Sequence, residues 1–170
     1  MLPFTPGGQY LVAPYVPGMV RSATRIALAR SGYAPNYIAL NPTDPFAYAR
    51  LVVHLWSTRA TVVIVEHDIV PPDGSIGALF DCPRPWCIHP YLISGRRYLL
   101  GLGLVKLAGT MMGQHPDLAR RAVCRKREGV IDTEWRSVDR YLARALQGRN
   151  RPPHFHQPDA VHLHEYDERG

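Results

Sequence analysis

The sequence predicts a single α/β domain: a mostly parallel central sheet with helices on both faces. Three observations point there. Short runs such as "YLVAPYV", "NYIAL" and "TVVIV" are apolar almost throughout, as strands covered on both sides must be. Amphipathic stretches separate them, so strand and helix alternate. Gly, Pro, Asn and Asp mark the junctions. With 170 residues and 46% hydrophobic content, one domain spanning 1–170 buries a sizeable core.

In order, residues 10–16 read as the first strand and 19–32 as a helix stopped by Gly32; 36–40 form the second strand. In "NPTDPFAYARLVVHLW" Thr43 or Asp44 stands as N-cap and Pro45 at the first helical position. The apolar face there runs through Phe46, Ala49, Val53 and Trp56. "TVVIV" (61–65) is the third strand. Beyond Asp68, "DGSIGALF" makes one or two helical turns capped by Asp73 or Ser75. Residues 83–109 mix short strands with breaks at Gly95, Gly101 and Gly103. "HPDLARRAV" and "DTEWRSVDRYLARAL" read as helices, the second with Asp132 or Thr133 as cap and Gly148 as stop. The tail is His-rich, broken by prolines, and closes with a short strand "AVHLH".

Twenty Lys/Arg against fourteen Asp/Glu give a net charge of +6, which suits a nucleic acid, a membrane face or a phosphate-bearing small molecule. Much of the excess lies in "RRAVCRKREG", and no helix-turn-helix, RNA-binding or zinc-finger pattern accompanies it, so nucleic acid is not the expected partner. No apolar run approaches the roughly 18–20 residues needed to cross a bilayer, and the N-terminus lacks the layout of a secretion signal. A cytoplasmic protein without a membrane span is expected. The three cysteines, Cys82, Cys87 and Cys124, follow no CxxC spacing and are expected as free thiols, although Cys82 and Cys87 flank only "PRPW".

"TVVIVEHDIVPP" carries the chemistry. In an open parallel sheet, ligands bind outside the carboxyl ends of the strands, where Glu66, His67 and Asp68 fall. If the strand continues through them, Glu66 and Asp68 point the same way, and crowded carboxylates invite a divalent cation. The plain alternative is that Asp68 caps the next turn and Glu66 meets an arginine. Four of the eight histidines fall in "HFHQPDAVHLH", as two H-x-H pairs: His154 with His156, and His162 with His164. On a strand each pair shares a face, a metal-ligand arrangement. Carboxylates with imidazole suit Mn²⁺ or Mg²⁺, no cysteine belongs to the set, and such a cation would offset charge on a departing diphosphate.

"VVIVEHDIVPP", "CPRPWCIHPY", "LGLVKLA", "EWRSVDRYLARAL" and "PHFHQPDAVHLH", taken in order, resemble small nucleotide-sugar glycosyltransferases of the A-type (GT-A) fold, a minimal Rossmann-like architecture found in short actinobacterial and phage-borne enzymes. The likeness spans residues 10–164. The first acid of the family's D-x-D triplet is here a Glu, and 170 residues is short for the fold. The resemblance implies that Asp68 binds the metal bridging the donor diphosphate. Glu66 then holds the donor ribose or the metal's water shell, and His162 or His164 supplies the late histidine ligand; His162 is preferred, being nearer the packed core. It further implies donor contacts from Pro14, Tyr15 and Arg21 after the first strand, from Asn41 and Asp44 after the second, and from His67 within the triplet. Trp86 and His89 would sit near the sugar and acceptor, and Lys106 near the phosphates. Tyr15 and Trp86 as packed residues, and Asp44 as a plain N-cap, are equally open. Asp139 is the first choice for the base of an inverting reaction, then Asp132 and Glu134. Residues 150–170 would close the site.

The expected activity is metal-dependent sugar transfer from a nucleoside-diphosphate donor to an acceptor of unknown kind, in the host cytoplasm if the chain is phage-borne. Two other classes use the same residues: a non-catalytic metal- or nucleotide-binding module, and a metal-dependent hydrolase or nuclease.

Overall fold

The computed structural model describes residues 4–93, 95–149 and 151–163. The alternation read from the sequence is present: β1 (Gln9–Tyr15), α1 (Ser22–Arg30), β2 (Pro35–Ala39), α2 (Ala47–Thr58) and β3 (Thr61–Val65). There follow β4 (Ile69–Val70), α3 (Ser75–Asp81), β5 (Trp86–Ile88), the β6 (Tyr91–Ile93) and β7 (Arg96–Tyr98) hairpin, and β8 (Leu104–Leu107). Three helices, α4 (Gly109–Gln114), α5 (Leu118–Val123) and α6 (Trp135–Gln147), precede the short strands β9 (His154–Phe155) and β10 (Val161–His162). The main sheet has the order β2-β1-β3-β8-β5-β9. Within it β8 alone runs against its neighbours, so the sheet is mostly parallel, as expected.

The period-two geometry of β3 explains why "TVVIV" has no polar position. Val62 and Ile64 enter a core shared with α2, α4, α5 and α6, while Val63 and Val65 enter a second core shared with α1 and α3. β3 is therefore covered on both faces, which only an uninterrupted apolar run satisfies. Among the described residues no helix is long and apolar enough to cross a membrane.

Local details depart from the sequence reading where tertiary packing outweighs propensity. In α2 the buried set is Tyr48, Ala49, Leu51, Val52, Leu55 and Trp56, with Phe46 and Val53 only half-buried, because the helix is covered by α5 and α6 as well as by the sheet. Pro45 precedes this helix rather than opening it. Asp44 accepts the Phe46 N–H at 3.0 Å and pairs with Arg50, while Thr43 turns to Asn41. Helix α3 starts from Gly74 in the left-handed region (φ 74°) without a side-chain cap, and Ser75 is buried instead. Helix α6 begins at Trp135 behind Glu134, because Asp132 folds back onto the backbone N–H groups of Arg125 and Lys126 and Thr133 is buried. The sequence did not signal α4: "GTMMGQ" is a poor helix former, held by burial of Met111 and Met112 and by the Trp56 indole donating to the His115 carbonyl at 2.8 Å.

One close approach makes a testable requirement. A Cβ at Gly109 would lie 2.1 Å from the backbone oxygen of Arg59, a residue itself held at φ 56°. Gly109→Ala must therefore push the β8–α4 junction off the end of α2. We expect a loss of about 1–3 kcal/mol of stability, read from the denaturation midpoint.

Candidate functional site

The chain leaves β3 at Val65 and turns at once. The Glu66 N–H donates to the Gly103 carbonyl at 2.9 Å, the last rung shared with β8, and the Ile69 N–H closes the turn on the Glu66 carbonyl at 3.1 Å. Glu66, His67 and Asp68 thus occupy a turn rather than a strand, and period-two alternation does not set where their side chains go. The turn is fixed on two other sides. Arg21 donates its backbone N–H to the His67 carbonyl at 3.1 Å, and Leu163 donates to the Asp68 carbonyl at 2.8 Å.

The second anchor comes from the tail. β10 pairs antiparallel with β4, His162 opposite Ile69, and this register carries the imidazole to the acid: His162 Nε2 lies 3.3 Å from Asp68 Oδ2. Val161 is exposed, and buried Ala160, whose N–H donates to the Pro90 carbonyl at 2.8 Å, anchors the strand. Beneath His162 lies the Tyr91 ring, stacked at 5.4 Å between centroids and 10° between planes. Tyr91 fits because two glycines leave room. A Cβ at Gly101 would meet its hydroxyl at 2.0 Å, and one at Gly103 its ring at 2.8 Å. The glycines read as strand breaks are the seat of a site tyrosine.

A third acid arrives from α6. Tyr98, opposite Tyr91 in the β6–β7 hairpin, donates its hydroxyl to Asp139 Oδ2 at 2.5 Å, and Asp139 Oδ1 accepts the Arg140 N–H at 2.6 Å. Burial raises the Asp139 pKa against both hydrogen bonds. Glu66 keeps some exposed surface, yet its carboxylate is desolvated. Desolvation, with the charges of Asp68 and Asp139, lifts its pKa from 4.5 to about 7, and the nearby Tyr48 hydroxyl offsets part of this. Burial likewise pushes the Tyr48, Tyr91 and Tyr98 phenols up. The structure therefore brings Glu66, Asp68, Asp139 and His162 together with three tyrosines. Sequence reading missed the tyrosines, although "YLISGRRY" carries a hairpin signal: two short flanks, each with Tyr at its outer end, around a Ser-Gly turn.

The remaining expected residues lie elsewhere or in structural roles. Pro14 is within β1 opposite Ile38, and Tyr15 ends β1 with its ring edge-on to Tyr37 at 6.3 Å. Asn41 accepts from Thr43 in a local turn, and Asp44 pairs with Arg50. Trp86 is 2% exposed, inside the α2-side core, because β5 is covered on that face; it presents no platform to a sugar. Lys106 is 3% exposed, and its ammonium donates to the Cys82 carbonyl instead of meeting solvent. Asp132 and Glu134 line a surface hollow with Arg125, Lys126, Thr133, Ser137 and Tyr141, and Asp139 is not part of that lining. The first H-x-H pair does not join the acids: His154 and His156 belong to β9 and its end, beside β5. His164 lies outside the described residues.

A pH dependence follows from Glu66. An acid whose pKa is higher folded than unfolded binds more protons in the folded state, so it subtracts stability as pH rises from about 4.5 through about 7. In metal-free protein, Glu66→Gln should therefore gain on the parent across that window and level off above it, with little difference at pH 4. The measurement is the difference between parent and variant in urea midpoint against pH, which cancels the opposite slope of His156, whose pKa burial lowers to about 4.

No protein-family model and no curated protein sequence matches the chain. Among solved structures, one of a glycosyltransferase involved in the glycosylation of the major capsid of PBCV-1 superimposes with a TM-score of 0.49. The two are 13% identical over 90% of this chain and 93% of that one. At that identity, any functional reading rests on this chain's own residues.

Proposed function

We propose that the chain is a metal-dependent glycosyltransferase, moving a sugar from a nucleoside-diphosphate donor to an acceptor hydroxyl. The observation that carries this reading is the Asp68–His162 pair, 3.3 Å apart at the carboxyl end of β3. The fit to a cation is chemical. Asp68 Oδ1 is buried with no hydrogen-bond partner among the described residues, and one carboxylate with one imidazole is a donor set for Mn²⁺ or Mg²⁺. When bound there, the cation supplies positive charge toward a departing diphosphate.

The chain's own groups divide the remaining work. Glu66, with a pKa of about 7, is partly protonated at neutral pH and so can donate as well as accept toward a donor hydroxyl or a water. Asp139 is the base. The Tyr98 phenol fixes its rotamer, each carboxylate oxygen accepts one hydrogen bond among the described residues and has capacity for a second, and burial raises its proton affinity toward that of a useful acceptor. The buried Tyr91 ring, packed beneath His162 and 5.7 Å from that of Tyr98, limits water beside these acids, and the half-buried Tyr98 ring offers a face to sugar C–H groups. Arg21, tied to the turn through its backbone, and the net charge of +6 favour an anionic donor.

The experiment is release of nucleoside diphosphate from a panel of sugar nucleotides with Mn²⁺, with and without acceptor sugars. Asp68→Asn should abolish metal-dependent turnover while the protein stays folded. His162→Ala should raise the Mn²⁺ concentration for half-maximal rate by at least about tenfold, and Asp139→Asn should lower kcat by about 10²–10⁴ without changing donor affinity. Undiminished turnover by Asp68→Asn, or cleavage of nucleic acid in place of sugar release, would overturn the reading.

A further inference from the structure

A second cluster of metal-ligating side chains lies on the same sheet, apart from the acids. β9 runs parallel to β5 with His154 opposite Cys87, and the His156 N–H continues the pairing onto the Ile88 carbonyl at 2.9 Å. Alternation along β9 puts His154 and His156 on one face, with ring centroids 4.8 Å apart. Cys82, the residue that ends α3, is brought over that face. Cys82 Sγ and a ring nitrogen from each histidine lie within 4.8 Å of one another. All three cysteines are free.

We propose that Cys82, His154 and His156 form a zinc site, distinct in place and chemistry from the Asp68–His162 pair. A thiolate with two imidazoles is a borderline-soft donor set that selects zinc over Mn²⁺ or Mg²⁺. Tetrahedral zinc with Zn–S of about 2.3 Å and Zn–N of about 2.0–2.1 Å needs ligand atoms roughly 3.5 Å apart, so small rotamer adjustments close the present arrangement. His154 is exposed, and Cys82 and His156 are half-buried, leaving a route for the ion.

The surroundings distinguish this cluster from a chance grouping. Cys87 Sγ lies 3.1 Å from Cys82 Sγ and donates to it, the role of a thiol supporting a neighbouring thiolate. His156 Nε2 is buried without a hydrogen-bond partner among the described residues. Beside it, at 5.1 Å between centroids, lies His89, which is 1% exposed. With its Nδ1 against the Pro158 carbonyl at 2.8 Å, the Nε2 of His89 is also buried and without a hydrogen-bond partner among the described residues, so a second oriented imidazole borders the site. Binding displaces the Cys82 thiol proton to solvent as the S–Zn bond forms; no oxidation state changes. The ion would clamp the start of the tail to the end of α3, upstream of the strand that delivers His162.

The test uses the full chain, freed of metal by chelation and kept reduced with a phosphine. Titration with Co²⁺ should give one equivalent with a thiolate-to-cobalt charge-transfer band and tetrahedral visible absorption, both displaced by Zn²⁺. Cys82→Ser should remove the charge-transfer band, and the double variant His154→Ala, His156→Ala should weaken binding by more than the roughly 10–100-fold typical of losing a supporting partner. Cys87→Ser and Asp68→Asn should keep the band. Alkylation of native protein provides a second readout, with Zn²⁺ slowing modification of Cys82. Circular dichroism of metal-free Cys82→Ser should match the parent, so that loss of the band reports loss of a ligand. No charge-transfer band in folded parent protein, its survival in Cys82→Ser, its loss in Cys87→Ser, or a Cys82–Cys87 disulfide forming in the presence of zinc would each overturn the assignment.

Discussion

Everything at the carboxyl edge of the sheet answers to one electrostatic constraint: Glu66, Asp68 and Asp139 are held near enough to feel one another's charge where water is scarce. Desolvation and the neighbouring charges oppose ionisation of Glu66 there. The fold supplies a partial answer at each acid. Tyr98 donates to Asp139, His162 meets Asp68, and Glu66 retains its proton to about neutral pH. In the proposed mechanism a cation at Asp68 is a further answer to the same constraint.

That arrangement depends on the strand that breaks the parallel rule. Because β8 runs against β3, its first residues and the β6–β7 hairpin before it arrive at the edge where β3 ends. A parallel strand in that place would have brought them to the opposite edge, with Tyr91 and Tyr98 far from the acids. The reversal also explains why the glycines precede β8: the hairpin must fold down tightly enough for Tyr91 to occupy the space of two missing side chains.

The alternating strands and helices were legible because β1, β2 and β3 obey local rules: apolar continuity, breakers and period. The acid turn was legible for a related reason, since strand ends in such sheets collect ligand-binding residues. Its geometry was not, because β3 stops at Val65 and hydrogen bonds from distant segments, at Arg21, Gly103 and Leu163, set the turn. Trp86 and Lys106 looked like site residues because aromatic and cationic side chains carry chemistry; their burial is decided by sheet order, which sequence spacing does not encode. The two H-x-H pairs looked equivalent as motifs. They separate because the segment of His154 and His156 pairs with β5 whereas that of His162 pairs with β4, and that choice belongs to the tail's path over the domain.

The β6–β7 hairpin has a further property. Its turn at Gly95 adopts φ 75°, Leu92, Arg96 and Arg97 are exposed, and Arg97 forms a two-pronged pair with Asp159 of the tail at 2.6 Å. The inner ends of the hairpin are committed to the acids, whereas Gly95, Arg96 and Arg97 beside its turn are exposed. Extra residues at that tip would lengthen the rim without crossing the sheet or disturbing the ladder that holds Glu66. Chains built on this sheet therefore have a place where evolution can remodel the rim beside the acids by insertion alone, leaving the acid turn untouched.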